Sequence, residues 1–345
     1  ALRTLSIIGF ENKNSNLNNG KGEKMNNYRV ISVGKNIYKI SNGIEEINSV
    51  ITGKMILEKL FPVVGDYVAV SEEKQIIDIL PRKTKLSRKA AGKDMREQVI
   101  VSNVDYIFIV TSLNNDFNIK RLERYRTLVY DSGAAPAFIL TKADLEDNIS
   151  EKISELESIA FGVPIHIVSS YEDKGIEELK DYLKDGSTVA LIGSSGVGKS
   201  TLINKLIGGD TIKTFDIRKS DSKGRHTTTS REIFKVENGF IIDTPGMREL
   251  QIWNGDTDTA FKDIEEFALQ CKFADCTHTS EPHCAVIKAI ETGELSQERL
   301  ENYFKLKKEI INTQNKILHG YKFMEKEKVK NMMGSLSTRK KLKKK

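Results

Sequence analysis

The 345-residue sequence has little of what secreted and membrane proteins need. It contains only three Cys and one Trp, and none of its apolar runs approaches the ~18 residues that suit a membrane-spanning helix. The N-terminal stretch lacks the basic start and long apolar core of a secretory signal. We therefore expect a soluble, cytoplasmic protein that does not enter a membrane.

The positive charge of the chain is concentrated in two segments. The net charge is +6, yet residues 321–345 carry ten Lys or Arg against two Glu, and residues 81–96 carry seven Lys or Arg against one Asp. Such runs attract phosphate backbones through the release of counterions. One such run alone could equally be a solvated tail. Two separate runs favour binding to a nucleic acid.

Three kinds of pattern follow one another along the chain. Short alternating strands, VITGKM (50–55) among them, predict a small barrel of the OB-fold or SH3-like type near the N-terminus. Strands and helices then alternate, including a helix over 144–160, which predicts a doubly wound parallel sheet. The predicted segments are an N-terminal extension (1–27), an OB-fold RNA-binding barrel (28–81), a basic linker (82–97), an α/β domain (98–255), a mostly helical metal-binding domain (256–320) and a basic tail (321–345).

GSSGVGKS (193–200) matches the eight-position Walker A pattern. It follows an apolar strand and opens an amphipathic helix, where glycines let backbone N–H groups surround a phosphate. Lys199 is expected to reach the β- and γ-phosphates, which makes it a catalytic candidate, and Ser200 to bind Mg²⁺. The nucleotide contacts predicted in this loop are Gly193, Ser194, Ser195, Gly196, Val197, Gly198, Lys199, Ser200 and Thr201.

Two later segments fit the remainder of a phosphate site. IIDTPG ends a buried strand, so that Asp243 can bind Mg²⁺ and the Gly246 N–H can meet a γ-phosphate. Between the two motifs, a polar stretch holds three Thr in a row. Thr228, with Thr229 as its rival, is predicted to offer a hydroxyl to Mg²⁺ and to act in catalysis; the row could also be an ordinary Thr-rich strand.

A guanine-binding loop precedes the phosphate loop in the sequence. In TKAD, the Asp144 carboxylate can accept hydrogen bonds from guanine N1–H and the exocyclic amine, which adenine does not offer in that arrangement. The Lys142 stem can pack across the base, and Thr141 stands where Asn is more usual. Backbone N–H groups of Ser169 and Ser170 are candidates for the guanine oxygen.

All three cysteines lie in CKFADCTHTSEPHC (271–284). Cys271, Cys276, His278 and Cys284 form a Cys₃His set, which is the usual ligand set of a structural Zn²⁺. His283 is a rival ligand to His278. A complete set leaves no open coordination position, so the metal is expected to stabilise the small domain.

These motifs resemble the circularly permuted GTPases, and more closely the RsgA family of GTPases that depend on the small ribosomal subunit. GRHTTT, TKAD, GSSGVGKSTL, DTPGMREL and the Cys/His spacing carry the resemblance over nearly the whole chain. It implies that the α/β domain is a permuted P-loop GTPase using GTP/GDP and Mg²⁺, and that a monomeric protein binds the 30S subunit and its 16S rRNA late in maturation. The permuted order leads from the γ-phosphate motif directly into the C-terminal domain, which we expect to couple the two.

The group that activates water is not evident from the sequence. Many GTPases place a Gln after the Gly of the last motif, whereas this chain has Met247. We therefore expect slow intrinsic hydrolysis that a partner accelerates. His226 is a catalytic candidate, with contact to rRNA phosphate or solvent as the alternative. An RNA-binding scaffold with negligible turnover and an ATP-using P-loop protein are the competing functions.

Overall fold

The structure is a computed structural model that describes residues 26–89, 97–114, 116–209, 231–236, 238–244 and 261–319. The chain divides into two compact units. The first combines residues 1–86 with 99–250, and the second combines 87–98 with 251–345. No helix in the described ranges is long and apolar enough to cross a bilayer. The six segment boundaries given above remain predictions.

Five short strands of the first unit form a small barrel: β1 (Asn26–Val33), β2 (Tyr38–Ser41), β3 (Glu46–Ser49), β4 (Tyr67–Val70) and β5 (Ile76–Ile79). β1 pairs antiparallel with β2 and β4, β2 pairs with β3, and β4 pairs with β5. A parallel bridge between Ile51 and Ile76 links the end of β3 to β5. This closed strand order fits the predicted barrel of the OB type.

The stretch VITGKM was predicted as a strand, but its second half is helical. Ile51 makes the parallel bridge, and helix α1 (Gly53–Leu57) begins directly after Thr52. Met55 of α1 is 1% exposed and belongs to the barrel core together with Val30 and Val68. The alternation of a short apolar run does not separate strand from helix, and the burial of Met55 stabilises the helix here.

A two-stranded hairpin follows the barrel in the sequence. It pairs β6 (Lys85–Lys89) with β7 (Glu97–Ser102). Leu86 and Ile100 are both fully buried. The segment predicted as a basic linker is therefore strand in part.

The predicted parallel sheet is confirmed in the rest of the first unit. Its strands are β8 (Tyr106–Ser112), β9 (Ala135–Thr141), β10 (Ile165–Ile167), β11 (Thr188–Ile192), β12 (Glu232–Val236) and β13 (Gly239–Asp243). Their order is β10-β9-β8-β11-β13-β12, and only the pairing of β12 with β13 is antiparallel. β9 and β11, which lead into the base and phosphate loops, flank β8 on opposite sides.

Among the described residues, these strands are connected by the helices α2 (Ile119–Ser132), α3 (Ile149–Ala160), α4 (Ile176–Lys180) and α5 (Lys199–Ile207). Helix α2 ends at Gly133, because this glycine adopts φ 81° and its N–H donates to the Tyr130 carbonyl oxygen. The helix predicted over 144–160 begins only at Ile149. The residues Ala143–Leu145 form a 3₁₀ turn, which is part of the base loop.

The barrel and the α/β sheet share one continuous sheet. β1 pairs antiparallel with β12 through Ser32 and Glu232. Gly65 lies so close to the strand end of β7 that an added Cβ would stand 2.0 Å from the Ser102 carbonyl oxygen. Glycine is required there, because no side chain fits between the two backbones.

The second unit contains the predicted helices of the C-terminal domain: α6 (Lys262–Ala268), α7 (Ala285–Glu291) and α8 (Gln297–His319). Phe261, Ile264 and Val286 are fully buried. Arg299 of α8 makes a bidentate ion pair with Asp263 of α6, at 2.6 and 2.7 Å, and its guanidinium lies 4.8 Å from the centre of the Phe261 ring. This largely buried ion pair fixes α8 on α6.

Candidate functional site

The phosphate loop joins β11 to α5 as a tight turn. Gly193 has φ 148°, and a Cβ at this position would stand 2.1 Å from the Val110 carbonyl oxygen of β8. Gly196 and Gly198 also have positive φ angles, of 82° and 98°. A chain with side chains at these positions could not follow this path without strain. The loop therefore ends with the N-terminus of α5 at Lys199, where a phosphate can be bound by backbone N–H groups.

The Lys199 amine is held inside this loop. Its Nζ donates hydrogen bonds to the carbonyl oxygens of Gly193 at 2.8 Å and Ser194 at 2.6 Å, and the residue is 7% exposed. Burial lowers the pKa of Lys199 to about 8, and the carboxylates of Asp243 and Asp116 oppose this shift. At neutral pH the amine therefore keeps a positive charge with which to attract phosphate oxygens.

Asp243 ends β13 beside β11, where it pairs in register with Leu191. Burial raises the pKa of this carboxyl, and the nearby Lys199 charge opposes the increase. The next residue, Thr244, is fully buried and its hydroxyl donates to the Leu191 carbonyl. Together with Ser200 at the start of α5, this carboxylate fits the oxygen ligands that Mg²⁺ prefers.

The base loop contacts the phosphate loop directly. The Thr141 hydroxyl donates to the Val197 carbonyl oxygen at 2.5 Å, and Lys142 Nζ donates to the Gly196 carbonyl oxygen at 2.9 Å. Lys142 has φ 59°, which turns the chain at this point. The two loops, more than fifty residues apart in the sequence, thus form one site.

The second base loop holds the Asp144 carboxylate. The Ser169 hydroxyl donates to Asp144 Oδ1 at 2.6 Å, while the backbone of Ser169 is paired in both directions with Lys174. Ser169 is fully buried, whereas Asp144 is exposed and accessible to a ligand. Ser170, the other predicted residue of this loop, is half-buried. The hydroxyl of Ser169 therefore orients the carboxylate without covering it.

Some of the other residues predicted to contact the nucleotide are accessible, and others lie outside the described ranges. Ser195 and Thr201 are exposed, and Ser200 is half-buried. Five residues singled out from the sequence lie outside the described residues: His226, Thr228, Thr229, Gly246 and Met247. Their predicted parts in Mg²⁺ binding, γ-phosphate contact and water activation remain predictions.

Asp116 is a member of the site that the sequence analysis missed. Its carboxylate lies close enough to Lys199 to oppose the lowering of that residue's pKa. It accepts a hydrogen bond from Arg121 at 2.9 Å and one from the Thr111 hydroxyl at 3.4 Å. The position of Asp116 in the sequence could have indicated this role. It follows the carboxyl end of β8, which lies next to β11, the strand that leads into the phosphate loop.

The four predicted metal ligands lie together in the second unit. The ligand atoms of Cys271, Cys276, His278 and Cys284 all lie within 4.8 Å of one another, and His283 is not part of this group. His278 Nδ1 is 3.6 Å from the Cys271 sulfur and 3.4 Å from the Cys284 sulfur. Three thiols and one imidazole at such spacing fit a tetrahedral Zn²⁺ with no open position.

Cys284 also begins α7. Its sulfur accepts a hydrogen bond from the Ile287 N–H at 3.5 Å, so the helix N-terminus stabilises a thiolate there. On the other side of the cluster, Glu281 accepts bonds from the N–H groups of Thr277, Thr279 and Ser280. These backbone contacts shape the loop that carries the ligands.

The fold and the nucleotide site define a circularly permuted P-loop GTPase, since the base loop on β9 precedes the phosphate loop on β11 in the sequence. A family model described as RsgA GTPase matches residues 79–253. The chain belongs to this RsgA GTPase family, whose reaction is the hydrolysis of GTP.

Relatives and solved structures agree with this assignment. The chain is 49% identical, over 80% of its length and 80% of the relative, to "Small ribosomal subunit biogenesis GTPase RsgA 1" of Listeria innocua. It is similar to the crystal structure of YjeQ from Thermotoga maritima, with a TM-score of 0.62 and 30% identity, covering 83% of this chain and 99% of the other. YloQ, described as a circularly permuted GTPase, matches with a TM-score of 0.59 and 25% identity over 86% and 98% of the two chains.

Proposed function

We propose that this protein hydrolyses GTP to GDP and phosphate on the small (30S) ribosomal subunit, late in the maturation of that subunit. The observation that carries the proposal is the contact of the TKAD loop with the phosphate loop through Thr141 and Val197. A guanine base at Asp144 and phosphates at Lys199 then belong to one bound molecule. The relatives are named as GTPases of small ribosomal subunit biogenesis, which supports the ribosomal part.

In this proposal, different residues bind the base and the phosphates of the nucleotide. Asp144 reads the guanine edge and Lys142 packs along the base, because only guanine offers two donors to a carboxylate. Lys199 contacts the β- and γ-phosphates. Bound Mg²⁺ would neutralise charge that develops on the phosphates. Ser200, Asp243 and Thr228 supply oxygen atoms for it, with Thr229 as the alternative to Thr228.

The ribosomal partner is recognised chiefly as RNA. The two basic segments, residues 81–96 and 321–345, attract the phosphates of 16S rRNA, and the barrel adds a surface of a type that binds oligonucleotides. We place the protein in the cytoplasm as a monomer bound to this subunit. Zn²⁺ held by Cys271, Cys276, His278 and Cys284 stabilises the C-terminal domain.

The permuted order connects the nucleotide site directly to the C-terminal domain along the chain. The Asp-Thr-Pro-Gly motif, which senses the γ-phosphate, continues directly into the second unit. Loss or gain of the γ-phosphate then changes how the C-terminal domain engages rRNA. Removing residues 261–345 is expected to weaken the stimulation of hydrolysis by the subunit while guanine-nucleotide binding stays largely intact.

Water activation is assigned to His226 because Met247 cannot accept a hydrogen bond from water as Gln does. On this account intrinsic hydrolysis is slow, and His226 acts on water when the ribosomal subunit is bound. The His226→Ala variant is expected to bind GTP normally and to lose stimulated hydrolysis.

Phosphate release by the full-length protein, measured with and without purified 30S subunits, tests the proposal. Wild type is expected to respond strongly to the subunit, Lys199→Ala to be inactive in both conditions, and His226→Ala to keep only its unstimulated rate. Stimulation by 50S subunits equal to that by 30S subunits would contradict the assignment of the partner.

A second candidate function is an RNA-binding scaffold that binds GTP without appreciable turnover, and Met247 is the feature that favours it. Such a scaffold would bind 30S subunits in a GTP-dependent manner, and the subunit would leave its phosphate release unchanged. The same assay therefore separates the two functions.

A further inference from the structure

Lys152, in the first turn of α3, joins two segments that border the base loop. Its amine donates hydrogen bonds to the Glu146 carboxylate at 2.6 Å and to the Leu113 carbonyl oxygen. The side chains of Lys152 and Glu146 are 24% and 17% exposed, and the centre of the Phe117 ring lies 5.9 Å from the amine. Because a partly buried ion pair is screened less than a surface pair, these contacts should persist at physiological salt.

Leu113 connects this amine to the beginning of the base loop. The residue is fully buried, and its N–H donates to the Thr141 carbonyl oxygen at 3.0 Å. Thr141 is the first residue of TKAD, and its hydroxyl donates to the Val197 carbonyl oxygen of the phosphate loop at 2.5 Å. The backbone of Leu113 therefore links Lys152 to the start of TKAD.

Glu146 connects the same amine to the end of the base loop. It follows Asp144 by two residues, directly after the 3₁₀ turn. One of its carboxylate oxygens accepts from Lys152, and the other accepts from the Asn148 N–H at 3.3 Å. The hydrogen bond from Lys152 is the main cause that lowers the pKa of Glu146, so this carboxylate is ionised at neutral pH. The Lys152 amine is thus linked to the chain on both sides of Asp144.

The direction of the Asp144 carboxylate depends on the backbone between these two anchors. The chain turns at Lys142, which has φ 59°. A residue other than glycine keeps this left-handed conformation only when the surrounding contacts hold it there. Asp144 itself is exposed, and the Ser169 hydroxyl donates to its Oδ1 at 2.6 Å. If one anchor of the loop is lost, this turn should relax and the carboxylate should take up more than one direction.

We propose that Lys152 is a positioning residue for guanine recognition, which holds the base loop at both ends and so fixes the direction of the Asp144 carboxylate. This inference rests on the proposed binding of guanine by Asp144 and is independent of the ribosomal partner. Guanine offers two donors to the carboxylate, and both bonds form only when the carboxylate has one particular orientation. Hypoxanthine lacks the exocyclic amine and offers one donor. A loosened loop should therefore weaken the binding of guanine nucleotides more than that of hypoxanthine nucleotides.

The test measures the equilibrium affinities of the full-length protein for GDP and for inosine diphosphate, whose base is hypoxanthine. Lys152→Met is expected to bind GDP about fivefold more weakly, the typical effect of one lost hydrogen bond. Its affinity for inosine diphosphate should change less, so the ratio of the two affinities falls. The matched control is Lys180→Met on α4, which breaks an exposed ion pair with Glu177 and should keep the wild-type ratio.

Glu146→Ala is a second, independent variant. It removes the anchor at the end of the base loop and should lower the same ratio, also when Lys152→Met does not fold. The double variant of Lys152 and Glu146 should be less severe than the product of the two single effects, because both changes remove the same ion pair.

Two results would overturn the inference directly. Affinities for GDP and inosine diphosphate that fall by the same factor in Lys152→Met would show that Lys152 supports only the fold. An unchanged ratio in Glu146→Ala would show that the end of the base loop does not depend on the amine.

Asp144→Ala, measured in the same assay, separates this inference from the proposed guanine site. If Asp144→Ala loses the preference for GDP while Lys152→Met keeps it, the inference is wrong and the guanine site stands. If Asp144→Ala keeps the preference, the guanine site and the inference are both wrong. None of these measurements contains a ribosomal subunit or a γ-phosphate, so they do not depend on the proposed partner or on water activation.

Discussion

Arg29 in the first barrel strand donates a hydrogen bond of 2.9 Å to the hydroxyl of Thr188, the residue with which the phosphate-loop strand begins. The same nitrogen donates to the Asn103 carbonyl oxygen at 2.9 Å. The guanidinium lies 5.3 Å from the ring centre of Tyr67 in the barrel and 5.4 Å from that of Phe240 in the α/β sheet. One buried cation thus joins the predicted RNA-binding barrel to the strand that positions the nucleotide.

Replacing Arg29 should destabilise the contact between the barrel and the α/β sheet. In Arg29→Met, the buried Asn103 carbonyl and Thr188 hydroxyl lose their charged donor, which should lower the free energy of unfolding by about 2–4 kcal/mol. Urea denaturation followed by circular dichroism measures the change. Lys39→Met on β2 is the control, because the Lys39–Glu46 pair is solvent-exposed and should contribute less than about 1 kcal/mol. Equal midpoints for the two variants would contradict a structural role for Arg29.

The zinc assignment makes a prediction that separates two neighbouring histidines. His278→Ala removes one of four clustered ligands and should reduce bound zinc from about one ion per chain to nearly none, with loss of α-helical signal from the C-terminal unit. Atomic absorption measures the metal content of the purified protein. His283→Ala should retain its zinc, since His283 is outside the cluster. The reverse result would exchange the two histidines as ligands.

Thr141 tests how the base loop is attached to the phosphate loop. Thr141→Val keeps the shape of the side chain and removes the bond to the Val197 carbonyl, so the affinity for GDP should fall about fivefold. Fluorescence titration with a labelled nucleotide measures it. The control is Thr127→Val, whose equally buried hydroxyl donates only to the Glu123 carbonyl of its own helix. An unchanged affinity in Thr141→Val would mean that the loops stay together without this bond.

The sequence predicted the two nucleotide loops and the zinc ligands, but it gave neither Asp116 nor the contacts that hold the two loops together. Asp144 and Lys199 lie in motifs whose residue spacing suits a bound nucleotide, and the zinc ligands have a spacing that suits a metal ion. The sequence alone could therefore predict that the members of each set lie close together. Thr141 lacks the usual amide, and only the structure indicates that its hydroxyl reaches the phosphate loop.

Arg29 carries no such signature. In an alternating strand, Arg29 looks like one more polar residue. Its role is recognised only after the fold brings Thr188, which is 159 positions away, into contact with it. The prediction of a strand at VITGKM was wrong for a different reason, because six residues are too few for a period to separate helix from strand.

The preference for guanine over other bases depends on one carboxylate, that of Asp144. Asp144→Asn would present an amide to guanine in place of an acceptor for two donors, and the affinity for GTP should fall at least about a hundredfold, as expected for two lost charge-assisted hydrogen bonds. Xanthosine triphosphate carries an oxygen where guanine has its amine, and the new amide can donate to it. The variant should therefore prefer the xanthine nucleotide, which competition binding measures. Asp147→Asn, an exposed acid three residues further along the same loop, should keep the wild-type preference for GTP. Retention of GTP preference by Asp144→Asn would place the purine elsewhere and separate the TKAD loop from base recognition.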